Sequence, residues 1–380
     1  MTHLTPRSLP ALLALGLALA TIAPAAAQDT DAVYRTPSQE LAALVDAPAT
    51  PGVSLGPDQS MMLLMTRPGA PSIAEVSAPE LRLAGLRINP KNNGPSRGFT
   101  YVDLAVRTLD GEQREVTGLP AEPRIGNVRW APDGRHVAFT QTTVDRVELW
   151  VLDVESAQAR RLVDGALNAA FFGAPFSWLS DSQTLLARMV PEGRGPAPAE
   201  PPVPTGPVIQ ESEGEAAPAR TYQDLLQNQH DEALFEHFTT SQLTRIALDG
   251  SMRALGAPAI VRSATPSPDG RYALVQATHR PFSYLVPASR FPTRIEVWDA
   301  DGGVTAEIAD LPLQDKVPTG FGSVPTGVRS IAWRADAPAT LSWVEALDGG
   351  DGNVEAAERD RMFLLDAPFD GDATAVASLP

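Results

Sequence analysis

Short runs of β-prone residues alternate with tight turns along most of the chain, and one phrase recurs. It starts with a turn of the Pro-Asp-Gly type, enters an apolar or alternating run, and closes after a second such run that ends in Asp. Its clearest copies span 128–139 with 147–153, and 267–275 with 295–302. Proline presets φ in such a turn, Asp can hydrogen-bond to the backbone two residues on, and Gly accepts positive φ. The pattern therefore predicts antiparallel strands joined by tight turns.

Weaker copies of the phrase begin at Leu55, Trp178 and Trp333. Repeated four-stranded units of roughly 40 to 50 residues are typical of propeller blades, whose sheets bury their faces against one another. We therefore expect an all-β fold, an incomplete β-propeller of about five blade-like units. A β-sandwich built from the same strands is the alternative. Trp130, Trp178 and Trp333 each lie three residues before the turn Asp, a recurrence that favours packing between blades over ligand stacking.

Two segments interrupt the strand pattern, and together they predict an insertion at 191–238. Residues 191–218 are rich in proline and poor in large apolar residues, which predicts a flexible surface loop. In 221–238 the apolar positions follow helical spacing on two separate faces, one with Tyr222, Leu225 and Leu226 and the other with Leu234, Phe235 and Phe238. Two short helices in the third blade are therefore expected.

The first residues predict export. A short segment with His3 and Arg7 precedes the apolar run 9–23, and small residues then offer a cleavage site after Ala27. We expect a signal peptide at 1–27, an N-terminal extension at 28–52 and the propeller region at 53–380, in a periplasmic or secreted protein. An uncleaved anchor is the alternative.

Charge and cysteine content exclude several classes of partner and site. The formal net charge is −16, and it becomes −17 when the single positive charge of Arg7 leaves with the signal. Neither nucleic acid nor an anionic membrane is expected as a partner, because both need clustered cations. Cysteine is absent, so disulfides and thiolate metal sites are excluded. No cofactor is expected.

Several long phrases carry a resemblance that covers the chain from about Val53 to its end. They are residues 86–90, 220–226, 231–235, 240–243, 279–287, 290–292 and 329–336. Together they resemble the glutamyl endopeptidases of plant chloroplasts and their bacterial relatives, within the prolyl oligopeptidase family of serine peptidases.

The resemblance implies a two-part enzyme, in which an N-terminal propeller covers a C-terminal α/β-hydrolase domain with a Ser, Asp, His triad. In that domain the nucleophile lies in a G-x-S-x-G turn between a strand and a helix. Here the pattern occurs at Gly52–Gly56, next to Pro57 and Asp58, and no strand precedes it and no helix follows it. We interpret it as the first blade's turn. The hydrolase domain is expected to lie outside these residues, so the chain alone should not cleave peptides.

Histidines offer little chemistry by their spacing. His136 follows a repeat turn and is expected on a strand surface. His230 and His237 flank acidic residues, but they are seven apart and match no zinc motif, so no metal site is predicted.

Arg280 and Arg290 are the candidate substrate contacts. They lie in the phrases most similar to the family. The resemblance implies a preference for cleavage after Glu, which requires a cation at the substrate carboxylate. The competing interpretation is that both anchor blade strands through ion pairs.

Two functions follow from the residues and the resemblance. In the first, the propeller restricts and orients peptide substrates for a hydrolase domain supplied elsewhere. In the second, the chain is a stand-alone periplasmic propeller that binds a protein or peptide, similar to the propeller of the Tol translocation system, whose repeats also use Ser-Pro-Asp-Gly turns.

Overall fold

The computed structural model describes residues 37–45, 47, 49–69, 71, 73–203, 221–318 and 320–379. The predicted leader 1–27 and most of the predicted proline-rich loop, 204–220, lie outside these residues. The chain divides into two units, 1–47 and 48–380. In the first, the described residues form helix α1 (Gln39–Val45), which has no buried residue.

The first sheet begins with β1 (Gly52–Leu55) and β2 (Met61–Thr66). The chain then leaves it through helix α2 (Ile73–Val76) and a small sheet of β3 (Leu81–Leu83), β4 (Leu86–Asn89) and β5 (Gly94–Pro95). It returns as β6 (Asp103–Thr108) and β7 (Gln113–Glu115), which completes an antiparallel sheet in the order β1-β2-β6-β7.

The second sheet has no such insertion. It consists of β8 (Ile125–Trp130), β9 (His136–Thr142), β10 (Val147–Asp153) and β11 (Gln158–Arg161), paired in chain order.

The third and fourth sheets share one long strand. The third contains β12 (Phe176–Trp178), β13 (Thr184–Met189) and, after helix α3 (Gln229–Thr239), β14 (Ser241–Ala247). Strand β15 (Met252–Pro266) pairs with β14 through its first half, and with β16 (Tyr272–Thr278) through its second half. A short 3-10 turn (Ala288–Arg290) then precedes β17 (Thr293–Asp299) and β18 (Val304–Leu311), which complete the fourth sheet.

The fifth sheet contains β19 (Arg329–Trp333), β20 (Thr340–Ala346), β21 (Asp360–Asp366) and β22 (Thr374–Leu379). The described residues thus form five four-stranded antiparallel units, numbered blades 1 to 5 in chain order.

A separate apolar cluster fills each interface between successive blades. Leu63 and Phe139 lie in the cluster of blades 1 and 2, and Leu149 and Leu185 in that of blades 2 and 3. The clusters of blades 3 and 4 and of blades 4 and 5 are centred on Leu186 with Val275, and on Val297 with Leu341. Burial of both sheet faces explains the apolar runs of the sequence. Among the described residues no such cluster joins blade 5 to blade 1, and the predicted incomplete β-propeller is confirmed.

The turns between the first and second strands of the blades follow the predicted chemistry. The Oδ1 atoms of Asp58, Asp133, Asp181 and Asp269 accept hydrogen bonds of 2.9–3.0 Å from the backbone N–H two residues on. Gly134 and Gly270 have φ values of 72° and 71°, the left-handed conformation for which glycine is suited.

One helix of the two predicted in 221–238 is present. The helix α3 contains Phe235 and Phe238, as expected, but residues 221–228 are not helical. Asp224 has a φ of 59°, and its carboxylate accepts a 2.7 Å hydrogen bond from Arg87 Nε. A non-glycine residue in that conformation ends a helix, so the prediction for Tyr222, Leu225 and Leu226 was wrong. Leu226 is buried all the same, in the same apolar cluster as Phe235 and Phe238.

Candidate functional site

Insertions from three blades meet on one face of the propeller. They are residues 67–102 of blade 1, 190–240 of blade 3 and 279–292 of blade 4, and each connects the second strand of its blade to the third. In antiparallel sheets these connections all leave from the end opposite the Asp-containing turns. We call the described residues of the three insertions the cap.

The cap is tied together through its backbone. Gly85 N–H donates to the carbonyl oxygen of Asp224 at 2.8 Å, and Ala288 N–H donates to that of Ala84 at 2.8 Å. Gly85 has a φ of 81°, and a Cβ placed there would lie 2.9 Å from Pro287 Cβ, so only glycine fits this approach of two insertions.

Phe235 of α3 is the apolar centre of the cap. Its side chain is fully buried, and its ring lies 5.0 Å from that of Phe282, 5.5 Å from Phe291 and 6.3 Å from Phe171, all edge to face. This is the preferred geometry of aromatic pairs. The helix predicted from the sequence therefore serves to join the insertions of blades 3 and 4.

A buried polar contact fixes the cap to the blades. Asn93 Nδ2 donates to Asn168 Oδ1 at 2.7 Å, and both amides donate to the carbonyl oxygen of Phe238 at 3.0 Å. Arg194 Nη1 in turn donates to Asn93 Oδ1 at 2.7 Å. Because these buried groups satisfy one another, the positions of the insertions of blades 1 and 3 are well defined.

Arg280, the first candidate substrate contact, already faces two carboxylates. Its guanidinium donates to Glu232 at 2.5 Å and to Glu236 at 3.0 Å, and it lies 4.6 Å from the centre of the Phe282 ring. The two hydrogen bonds raise the pKa of Arg280 above its usual range. Glu232 also accepts a 2.6 Å hydrogen bond from the Tyr284 hydroxyl.

Arg290, the second candidate, makes weaker contacts. Its Nη1 donates to the carbonyl oxygen of Gln314 at 3.3 Å, and its guanidinium lies 6.0 Å from the Tyr222 ring. No ion pair joins Arg290 to an acidic side chain among the described residues. The structure thus places Arg280 and Arg290 in the same insertion but in different surroundings.

A cleft of about 500 Å³ opens between the three insertions of the cap. Arg82, Tyr222, Asp224, Leu226, Gln227 and Tyr284 line it. Arg82 Nε lies 2.9 Å from Glu80 and 3.7 Å from Asp224, so acidic neighbours offset its charge.

A second cleft, of about 200 Å³, lies where the cap meets the shared strand β15. Its polar lining includes Arg262, Ser263 and Gln276, and its apolar lining includes Phe171, Phe172 and Pro287. Arg262 is half-buried and has no acidic partner among the described residues. Arg188, whose side chain is buried, donates to the backbone carbonyl oxygen of Arg262.

Sequence reasoning did not find Arg188 or Arg262. A signal existed, because each of the two arginines interrupts an apolar run of the sequence. An arginine at such a position must have partners inside the protein.

The serine of the G-x-S-x-G pattern lies on a strand. Gly52–Leu55 is β1, and Ser54 Oγ accepts a 3.0 Å hydrogen bond from the indole N–H of Trp130. The prediction that the pattern forms the first blade's turn was therefore wrong for Gly52–Leu55, because the turn follows this strand, and no helix succeeds it. Among the described residues no hydrogen bond joins a serine hydroxyl to a histidine ring.

The histidines lie apart from one another. His136 begins β9 beside Asp153, while His230 and His237 are both on α3. His279 Nε2 lies 2.7 Å from Asp310 Oδ1. The described residues contain no group of three or more potential metal ligands. His3, Arg7 and Ala27 lie outside them.

The three predicted packing tryptophans bridge successive blades. Besides Trp130, which reaches β1, Trp178 donates to the Arg129 carbonyl at 3.1 Å and Trp333 to the Thr265 carbonyl at 2.8 Å. Each indole thus reaches the first strand of the preceding blade, and the prediction of packing between blades is confirmed.

No helix among the described residues has the length and apolar character needed to cross a membrane. A comparison with protein-family models found no match.

Two curated plant proteins, both named as probable chloroplastic glutamyl endopeptidases, are similar to this chain. The protein from Oryza sativa subsp. japonica is 40% identical over 355 residues, which cover 89% of this chain and 38% of the rice protein. The protein from Arabidopsis thaliana is 39% identical over 358 residues, which cover 90% of this chain and 37% of that protein. The chain therefore spans less than two-fifths of the length of these relatives.

Solved structures with a similar arrangement include an acylaminoacyl peptidase from Pyrococcus horikoshii, with a TM-score of 0.40 and 15% identity over 87% of this chain and 38% of that one. Another is a putative dipeptidyl aminopeptidase IV from Bacteroides ovatus, with a TM-score of 0.43 and 10% identity over 87% of this chain and 39% of that one.

Identity near 40% over about nine-tenths of the chain, together with the five blades, makes this chain a β-propeller region similar to the matching part of the glutamyl endopeptidases.

Proposed function

We propose that this chain is the non-catalytic propeller of an exported serine peptidase of the glutamyl endopeptidase type. In this role it restricts and orients peptides for a hydrolase domain supplied outside these residues. The single observation that carries the proposal is the 40% identity with a protein named as a probable glutamyl endopeptidase.

The cap gives the proposal a physical mechanism. Three insertions cover one face of the propeller, so a folded protein meets packed side chains there, whereas an extended peptide can enter clefts of about 200 and 500 Å³. Restricted entry of this kind selects substrates by size and flexibility and holds them in a defined geometry.

The chemistry of cleavage is assigned to the other domain because the described residues offer no nucleophile with a base. Ser54 Oγ is bound to an indole, and the His279 ring lies between a backbone carbonyl and Asp310. A hydroxyl without a base within hydrogen-bond reach is a weak nucleophile.

Arg280 and Arg290 stay part of the proposal as substrate contacts on the capped side. Arg280 would have to release Glu232 or Glu236 to bind a substrate carboxylate. Arg290 donates to a carbonyl oxygen instead, so its charge is more readily available.

Export is also proposed, through the leader 1–27 with cleavage after Ala27. Determination of the N-terminal residue of the protein after export tests it, and a retained Met1 would contradict it.

The experiment for the proposed function uses a chimera. Residues 48–380 replace the matching region of the full-length rice relative, and cleavage of a blocked, unstructured peptide with a single Glu is compared with that of the same peptide with Gln. We expect the chimera to cleave after Glu and the chain alone to cleave neither peptide.

The two contrary outcomes differ in meaning. Hydrolysis by the purified chain alone would place catalysis within it. A folded chimera without activity, together with tight binding of a protein partner by the chain, would favour a stand-alone binding propeller.

A further inference from the structure

Strand β15 contains a bulge at Arg262. In its pairing with β16, Val261 lies opposite Ala277 and Ser263 opposite Gln276, so Arg262 has no partner across the ladder. A bulge turns the extra residue out of the regular alternation and can place neighbouring side chains on the same side. Here Arg262 and Ser263 both line the second cleft.

The bulge is held by Arg188 of the neighbouring blade. Its Nη1 donates to the carbonyl oxygens of Arg262 at 2.6 Å and Val261 at 3.3 Å, and its Nη2 donates to that of Ala174 at 3.4 Å. Only 4% of the Arg188 side chain is exposed. Since a bulge leaves carbonyls without ladder partners, this buried guanidinium satisfies them and fixes the geometry. Arg188 is therefore a positioning residue.

Arg262 itself keeps capacity for a further ligand. Its Nη1 donates to Thr293 Oγ1 at 2.9 Å and its Nη2 to the Ser289 carbonyl at 3.5 Å. A guanidinium has five N–H donors, and here none meets a carboxylate of the described residues. Burial without a compensating anion lowers the pKa of Arg262 below its usual range. The chain as a whole has a net charge of −16, but the uncompensated cation makes this a local position where an incoming anion is favoured.

The rest of the cleft suits an organic carboxylate. Ser263 and Gln276 lie opposite each other in the register and add a hydroxyl and an amide. The side chain of Phe172 is 80% exposed at the edge, and Phe171 and Pro287 form the apolar wall. A volume of about 200 Å³ corresponds to roughly seven water molecules, enough for a short acidic side chain or a peptide end.

We propose that this cleft binds a peptide carboxylate, with Arg262 as the cation and with Ser263 and Gln276 as additional hydrogen-bonding groups. The inference rests on the proposed function for the choice of a peptide as ligand. Binding is measured without hydrolysis, so the two proposals can fail separately. If the chimera is inactive but the chain binds the carboxylate peptide, only the proposed function is rejected. If the chimera is active but the chain does not bind that peptide, only this inference is rejected.

The test uses the whole chain and three tripeptides, followed by calorimetry or ligand-observed NMR. The first is Ala-Glu-Ala with both ends blocked, the second is blocked Ala-Gln-Ala, and the third is Ala-Gln-Ala with a free C-terminal carboxylate. The first and third distinguish a side-chain carboxylate from a chain end. We expect the Glu peptide or the peptide with a free C-terminus to bind about ten-fold more tightly than blocked Ala-Gln-Ala, as a charge-assisted hydrogen bond predicts.

Two variants locate the site. Arg262→Gln should remove the preference for the carboxylate peptide, and Arg262→Lys should retain part of it because the charge stays and the planar fork is lost. The matched control is Arg160→Gln, which removes an exposed arginine on β11 that also donates to a backbone carbonyl. It should leave binding unchanged.

The comparison of peptides on the unaltered chain does not depend on whether a variant folds. Equal binding of the Glu and Gln peptides, with no gain from a free C-terminus, overturns the proposal. So does the absence of binding at about 10 mM peptide, ten times a dissociation constant of ~1 mM. Equal losses of affinity for the carboxylate peptide in the folded Arg262→Gln and Arg160→Gln variants would also reject the proposal. The effect on binding would then come from net charge and not from the cleft.

Discussion

The indole N–H of Trp178 donates a 3.1 Å hydrogen bond to the carbonyl oxygen of Arg129, across the boundary between blades 2 and 3. Trp130 and Trp333 make the corresponding bonds to Ser54 and Thr265. All three acceptors lie four residues before the turn Asp of their own blade, at Asp58, Asp133 and Asp269. The repeat thus carries both halves of a contact that links one blade to the next.

Trp178→Phe should lower the free energy of unfolding by about 1–3 kcal/mol, because the Arg129 carbonyl loses its donor in a partly buried contact. Trp333→Phe removes the same bond at a more exposed place, where water can replace the donor, so its cost should be smaller. Denaturant unfolding of both variants checks the order. Equal losses would show that burial of the bond does not determine its contribution.

Phe235→Ala should destabilise the protein by about 3–5 kcal/mol, since it removes a fully buried ring at the centre of the cap. The control is Phe321→Ala, in which the same atoms are removed from a fully exposed position. Thermal unfolding compares the two. A similar melting temperature for both variants would mean that the cap does not contribute to the cooperative structure.

Tyr284 should make stability depend on alkaline pH. Burial and the hydrogen bond to Glu232 raise the pKa of Tyr284 from 10.0 to about 12. Because the folded state disfavours the tyrosinate, this contribution is complete below about pH 10 and is lost as the pH rises through about 12.

In Tyr284→Phe this part of the pH dependence should vanish, and the melting temperature should fall less steeply above about pH 10. The measurement is the melting temperature of both proteins across this range. Parallel curves for the two proteins would contradict the assignment.

Arg188→Met should cost about 1–3 kcal/mol, because it leaves the carbonyls of Val261 and Arg262 without donors. Burial lowers the pKa of Arg188 to about 10, so the side chain is still charged at neutral pH. Arg245→Met is the comparison, since that half-buried arginine has a single 3.3 Å bond to the carbonyl of Ala300. Denaturant unfolding should show the smaller loss for Arg245→Met, and the reverse order would count against the role of Arg188 at the bulge.

Local chemistry explains which parts of the fold could be predicted from the sequence. A turn with Asp133 and Gly134 specifies its own hydrogen bond and φ, and a tryptophan that recurs at one repeat position indicates a recurring contact. These features depend on residues close together in the chain. They were sufficient for the blades and for the helix α3.

Other features depend on distant partners. The apolar spacing around Leu226 is helical, but Arg87, 137 residues away in the chain, holds Asp224 in a conformation that excludes the helix. Strand β15 serves two blades, which no local pattern indicates. Arg262 gains its place in the cleft from a bulge and from Arg188, so its role depends on register rather than on residue type.

Cleavage by the chimera of one protein substrate, in its folded form and in a permanently unfolded form, tests the central claim most directly. If the capped propeller admits extended peptides to a hydrolase domain, only the unfolded form will be cut. Equal rates for both forms, from a chimera that retains its peptide activity, would show that this propeller does not control access.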